Sequence, residues 1–414
     1  MFARDSFSIV PGDEAWIARE KARRRREYTL QAVLILILVA FIAVLATNVA
    51  DNLAAKNIHS GFAFLNHRAG FEIGEQLIAY SSSDPLWKAF LTGLLNTLRI
   101  SACTIVSATV LGVIVGLMRL SRNGVVRFLG AAHVEAYRNV PLLVLLLALY
   151  LVVTELLPGV RQAWHLGNWI YLSKTGLLCA VPLWGMKALL GALVVGVFGG
   201  WLAAKRLQRV QTNLIANMGG FLIFVILSAL VWILCGVIGG WDHPTATRFS
   251  MRGGAAMTPE FLTLWLGLTL FTSASIAEIV RAGVESVRPG QWAAAAALGL
   301  KSEEAVSYVI FPQAMRLIMP PLASQFMTLT KNSSLAVMVG YPDLVNVGTT
   351  VMNVTGQALE VICIIMGVYL TVNIIIAFIM NHFNARIMRA PQYGGRHAAD
   401  SNSRQSWQLG YEVA

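Results

Sequence analysis

The 414-residue chain is 56% apolar and 13% charged, with a mean hydropathy of +0.63. Soluble domains carry roughly a quarter charged residues, so a soluble globular fold is excluded and an all-α polytopic integral membrane protein is indicated. The formal net charge of +11 calls for no nucleic-acid partner, because no base-reading or stacking module accompanies the basic residues.

Residues 1–28 form a basic N-terminal segment predicted to be cytoplasmic. Its KARRRR run at 21–26 abuts the first apolar stretch, where it sets topology and meets the anionic headgroups of the lipid bilayer. Asp5, Asp13, Glu14, Glu20 and Glu27 make the segment too long and acidic to lead a signal peptide. The apolar run 29–48 is therefore predicted to be an uncleaved span, and 29–87 an additional span plus an external loop. In all, eight spans are predicted, each near the roughly 20 residues that cross a bilayer: 29–48, 90–118, 141–157, 178–202, 214–240, 261–281, 313–340 and 357–383. The third is short, and Pro320-Pro321 interrupts the seventh. With these spans, and with Arg281 and Arg316 at span ends counted to the adjoining loop, 22 of the 32 Lys and Arg residues fall on the N-terminal side and 7 on the opposite side. The bias predicts that both termini, including the tail 391–414, are cytoplasmic.

Within the spans, Asn96, Thr97 and Arg99 form a polar patch suited to joining helices. All four cysteines (Cys103, Cys179, Cys235, Cys363) fall inside predicted spans as small packing residues, without a disulfide or metal pattern. Gly196, Gly199 and Gly200 suit close helix packing, and Trp164, Trp169, Trp241 and Trp265 lie at predicted membrane boundaries. Glu278 and Arg281 share a helix face. Lys331, followed by Asn332, Ser333 and Ser334, places a charge at membrane depth, where a side chain must face protein or water. Together with Asn96 and Thr97 these residues are the candidate translocation path. A purely structural role for Lys331 would pair it with a carboxylate such as Glu278.

The segment 289–312, PGQWAAAAALGLKSEEAVSYVIFP, is the most informative in the chain. Pro289-Gly290 is a break, and Ala293 to Ala297 are a run of strong helix formers. Gly299 stands where a left-handed cap would end that helix. Ser302 can cap a second helix, with Glu303 and Glu304 in its first turn facing the positive end of the dipole. Pro312 either closes the unit or opens the next membrane helix. No GxxxxGK[ST] phosphate loop, metal-ligand spacing or nucleophile–base constellation occurs, so neither enzyme chemistry nor a bound cofactor or metal is expected in this chain.

This loop resembles the EAA loop of membrane subunits from importers driven by ATP-binding cassettes. Ala293-Ala294-Ala295 occupy the EAA positions, Gly299 has the required spacing, and Val309-Ile310-Phe311-Pro312 match the terminal I-x-L-P. The family's glutamate is replaced by Ala293. Asn96-Thr97-Leu98, the Tyr137 to Leu143 stretch YRNVPLL and Lys331-Asn332-Ser333-Ser334-Leu335 are similar to stretches of the histidine/glutamine-type polar amino-acid permeases, in the same order. The resemblance covers 88–157 and 258–390, and 158–257 reads as an insertion of external loops and two spans. Removing that pair and the first span leaves the five-helix core of smaller family members. The resemblance implies an L-amino-acid importer subunit in the bacterial inner membrane. Its partners would be a cytoplasmic ATPase dimer, a second membrane subunit (a paralogue) and a periplasmic amino-acid-binding protein. Gly290, Ala293, Ala294, Ala295, Gly299 and Pro312 would form the coupling loop. A gradient-driven secondary transporter is the alternative, but it would need mid-span carboxylates, whereas Glu155 and Glu278 lie toward span ends. A scaffold or channel would leave the spacing of 289–312 without a purpose.

Overall fold

The computed structural model describes residues 13–55, 61–208, 213–246 and 251–388. Most of residues 1–28 is thus covered, whereas the tail 391–414 lies outside the described residues. Six helices are long and apolar enough to cross a membrane, and two further spans arise if each of two bent helix pairs counts as one. Eight is thus the upper reading.

The first span lies within α1 (Asp13–Ala55) and the second is α2 (Leu86–Arg119). The third is one of the bent pairs. α3 (Gly124–Arg138) turns through 98° into α4 (Leu142–Leu151), which continues as a wide π-type turn, Val152–Leu156. Pro141 explains the corner, since a proline forces the residue before it out of the helical region. Asn123 starts α3 by accepting from the Val125 and Val126 amides at 2.9 and 3.3 Å.

The inserted pair forms α5 (Gly185–Leu207) and α6 (Asn213–Gly239), an antiparallel hairpin. Its seam has no room for side chains: a Cβ on Gly200 would lie 2.7 Å from the Gly220 carbonyl. The predicted start of this span at 178 is corrected to Gly185. Residues 176–182 are apolar, but they pair as strands. β1 (Trp164–Leu166), β2 (Ile170–Ser173), β3 (Gly176–Cys179) and β8 (Ala255–Met257) form an antiparallel sheet in the order β1-β2-β3-β8. Two small ladders, β4 (Val181–Pro182) with β5 (Trp241–Asp242) and β6 (Thr245–Ala246) with β7 (Met251–Arg252), sit beside it. Cys179 therefore lies in a strand and not in a span. A short apolar run bounded by Gly and Pro fits a strand as well as a membrane helix.

α7 (Pro259–Glu285) begins at Thr258, whose hydroxyl accepts from the Phe261 amide at 3.1 Å. It packs along α2 through small residues. A Cβ on Gly112 would come within 2.6 Å of Ile276 Cβ, and one on Gly116 within 2.9 Å of Val280 Cβ. Gly112→Val is therefore expected to cost about 3 kcal/mol by overpacking. Thermal unfolding of the detergent-solubilised protein checks this, against Gly191→Val on the open face of α5 as a control.

Beyond α7 come α8 (Pro289–Ala297) and α9 (Ser302–Ala305). A π-type turn, Val306–Ile310, then leads into α10 (Phe311–Asn332) and a tight 3-10 stretch, Ser333–Val339. Ser302 to Val339 is thus one helical path. Pro312 lies inside it and opens α10, the wide turn absorbing its missing N–H. Pro320-Pro321 also lie within the helix, so the predicted interruption is corrected. The path breaks at 340–343 and turns 52° into α11 (Leu344–Thr355), which sequence patterning did not reveal. α12 (Ala358–Met388) completes the chain.

Candidate functional site

Two places merit description: the elbow formed by α8 and α9, and the break between α10 and α11 at the opposite, sheet-bearing end. In the elbow, Pro289 occupies the first helical turn, where its missing N–H costs nothing. α8 ends on a Schellman motif, with Leu300 N donating to Ala295 O at 3.2 Å and Gly299 N to Ala296 O at 3.0 Å. This requires Gly299 at φ +73°. α9 then starts one residue earlier than the sequence implied. Lys301 holds the cap position and its amide donates to the Glu304 carboxylate at 2.9 Å, so Ser302 is the first helical residue and not the cap. Gly290, by contrast, has nothing within 4 Å of a would-be Cβ and no unusual dihedral. Gly299→Ala is expected to destabilise the elbow by about 1 kcal/mol and Gly290→Ala to be neutral or stabilising. Hydrogen exchange of α8 amides distinguishes the two.

Ala295 and Ala305 are buried, and α8 packs on α9 and the turn after it. Ala293 and Ala294 are exposed. Beneath the elbow, Val287, Ile310, Ala314 and Ile318 form a buried cluster that fixes it to α7 and α10. Gln313 Nε2 donates to Gln291 Oε1 at 3.1 Å. On the far side, large side chains face outward: Leu298 is 78% exposed, Tyr308 59% and Trp292 40%. The inner face is thus anchored, and the outer face presents large apolar side chains. Nearby, Glu278 is held by Arg119 and by Arg281, and Arg281 also holds Glu285. The shared face of Glu278 and Arg281 is thus an ion pair, and α2 supplies a third member that sequence spacing could not show.

The break lies against α2. Asn96, fully buried, donates through Nδ2 to Glu75 O at 2.7 Å and to Pro342 O at 2.9 Å. Thr97 Oγ1 accepts from the Leu344 amide at 3.0 Å. Gly93 lets the chain approach, since a Cβ there would be 3.0 Å from Leu344 Cα. Tyr341 and Asp343 are fully buried. The Tyr341 hydroxyl donates to Asn96 O at 3.3 Å, and Asp343 caps α11 through the Asn346 amide at 2.8 Å while accepting from Tyr369 at 3.3 Å. Two side chains on α2 and the Asp343 cap satisfy backbone groups that a broken helix would strand in the membrane, and Tyr369 on α12 steadies the cap. Tyr341, Asp343, Tyr369 and Gly93 were missed by sequence reasoning. The run Gly340, Pro342, Asp343 was the available signal: a helix stop followed by a cap.

The structure does not gather all the predicted path residues at one point. Asn96 and Thr97 are engaged by the break. Ser333 donates to Thr330 O and Ser334 to Lys331 O, both at 2.7 Å, within their own helix, and Asn332 is half-buried. Lys331 is exposed and has no ion pair among the described residues; Glu278 pairs elsewhere. Arg99 pairs with Glu75 at 2.5 Å and lies 4.3 Å over the Phe261 ring.

Directly above the break a cavity of about 360 Å³ opens at the sheet-bearing end, lined by Glu72, Glu75, Thr258, Glu260, Asn346 and Thr350, among others. Thr258 donates to Glu75 at 2.9 Å, so the strand-to-helix junction forms part of its rim. Hydrogen bonds from the Ser82 hydroxyl and amide hold the Glu72 carboxyl below the usual range. No metal-binding cluster of His, Cys, Asp or Glu occurs among the described residues.

Comparison with known proteins agrees with this architecture. Residues 196–389, which include the elbow, match the family model for the binding-protein-dependent transport system inner membrane component. The chain is 41% identical to the general L-amino acid transport system permease protein AapQ of Rhizobium johnstonii, over 87% of this chain and 92% of that one. It is 40% identical to the putative amino-acid ABC transporter permease protein YhdX of Escherichia coli, over 87% and 94%. It is 34% identical to the glutamate/glutamine/aspartate/asparagine transport system permease protein BztB of Rhodobacter capsulatus, over 88% and 94%. On this evidence the chain, a multi-pass membrane protein, belongs to the family of inner-membrane components of binding-protein-dependent transport systems.

Proposed function

We propose that this chain is a membrane subunit of an ATP-driven importer of L-amino acids, forming the translocation pathway with a second, paralogous membrane subunit. The observation that carries this reading is the elbow: rigid, anchored on one face, and exposing Trp292, Leu298 and Tyr308 on the other. Such a surface suits a protein partner, and the spacing of Ala294, Ala295, Gly299 and Pro312 matches the loop that engages a cassette ATPase. The elbow is then cytoplasmic, as are both termini in the bacterial inner membrane, and the cavity at the break faces the periplasm and the amino-acid-binding protein. The core comprises 88–157 and 258–390, with 158–257 inserted.

ATP hydrolysis belongs to the separate ATPase dimer, and this chain performs no chemistry and holds no cofactor. Ala293 presents an exposed methyl where the family has a carboxylate, so a charge-assisted contact to the ATPase falls to the second membrane subunit. Lys331, with Asn332 and Ser333-Ser334 beside it, contributes the cation of the pathway, and Asn96 and Thr97 act by holding its hinge. A gradient-driven carrier has little support, because Glu155 and Glu278 both pair with cations. Reconstitution tests the proposal. Uptake of labelled L-amino acids into proteoliposomes should require ATP, the ATPase and the binding protein together. Gradient-driven uptake by this chain alone would overturn it.

A further inference from the structure

An apolar groove between α2, α10 and α12 offers a seat for a helix. It encloses about 510 Å³, and its lining includes Ala102, Ser101 and Gly367. A Cβ on Gly367 would meet nothing within 4 Å, so the α12 backbone is open to close approach. Ser101, 4% exposed, and Ala102 keep this side of α2 low, and small residues of this kind let a second helix pack closely.

α1 is a helix without a seat. Its large apolar side chains between 30 and 45 are 47% to 70% exposed. The chain just beyond its outer end is nevertheless tied to α12, because the Gly61 amide donates at 3.1 Å to Glu360, a buried residue in the first turn of α12. Only residues 56–60 separate Ala55 from that tie, a reach of about 20 Å. Crossing the same bilayer from that point, α1 runs antiparallel to α12. At 1.5 Å per residue, residues near 39–48 fall roughly level with 367–376. That stretch of α1 carries Ala40, Ala43 and Thr47 along one face.

We propose that α1 seats in this groove, its Ala40, Ala43 and Thr47 face against Ser101 and Gly367, where small side chains let the two backbones approach closely. The extra N-terminal helix then covers the α2–α12 flank of its own subunit. This assignment is independent of what the complex carries.

Disulfide mapping tests it in the full complex in a bilayer, with Cys103, Cys179, Cys235 and Cys363 replaced by alanine. Ala43→Cys with Thr371→Cys should oxidise to an intrachain disulfide. Leu45→Cys with Thr371→Cys, from the opposite face, should give about tenfold less, because cysteines with Cα atoms beyond about 7 Å cannot bridge. Gly367→Leu, which fills the groove, should lower the first yield without dispersing the complex. Equal yields from both faces, no disulfide from either, or bridging to another chain would each overturn the proposal. Should the cysteine-free chain fail to assemble, a benzophenone side chain at Ala43 in the native-cysteine chain reads the same contact. Labelling of α12 supports the seat, whereas labelling of lipid or a partner subunit rejects it.

Discussion

Leu298→Asp is expected to lower ATP-driven uptake at least about 30-fold, the effect of losing roughly 2 kcal/mol at an interface hot spot. Leu298 is the most exposed of the elbow's large side chains, at 78%. A charge there therefore leaves the fold of this subunit unchanged while burying an unpaired carboxylate under the ATPase. Uptake and co-purification of the ATPase should fall together, with no change in unfolding temperature. Full uptake by the variant would show that the partner grips some other part of the chain. Ala295→Asp forms the contrast: Ala295 is buried within the elbow, so that change should lower stability and coupling alike.

The second large effect is expected at Lys331. An ammonium group at membrane depth is costly, and Lys331 is exposed with no ion pair among the described residues. Lys331→Met should thus leave the membrane subunit as stable as before, or more so. If the cation serves the pathway, uptake falls at least about tenfold, the loss of one charge-assisted contact, while the membrane subunits still co-purify. Normal uptake would make Lys331 a bystander that snorkels toward water.

The spans and the elbow could be read before any coordinates, because both are governed by local rules. Apolar length marks a span, and the proline break, the alanine run and Gly299 mark a helix–turn–helix whatever surrounds it. Ser302 shows the limit of such rules. It is a good cap by type, but Glu304 reaches back to the Lys301 amide and moves the start by one residue. The strands around Cys179 were hidden because pairing with Ala255 is a long-range fact, and apolar content alone cannot separate a strand from a span. α11 and its break did carry a local signal, the stop at Gly340 and the cap at Asp343, but it falls in the connection between the predicted spans 313–340 and 357–383. Asn96 and Thr97 stood out as polar residues in a span, but their hydrogen bonds run to Pro342 and Leu344, and no local pattern points to partners so distant in the chain. Lys331 differs again: that it has no ion pair among the described residues emerges only when the carboxylates around it have been placed.

The unbroken helical path from Ser302 to Val339 has a mechanical consequence. At 1.5 Å per residue it is a path about 55 Å long that runs on through Pro320 and Pro321. On the proposed function, one end bears the face offered to the ATPase, and the other stops at Gly340, φ +80°, immediately below the cavity. A tilt of a few degrees at the inner end would sweep the outer end sideways by several ångströms. The 340–343 joint, pinned to α2 by Asn96 and Thr97, would convert that sweep into rotation of α11. Nucleotide-driven closure inside the cell could then open or shut the mouth outside it through one continuous lever arm.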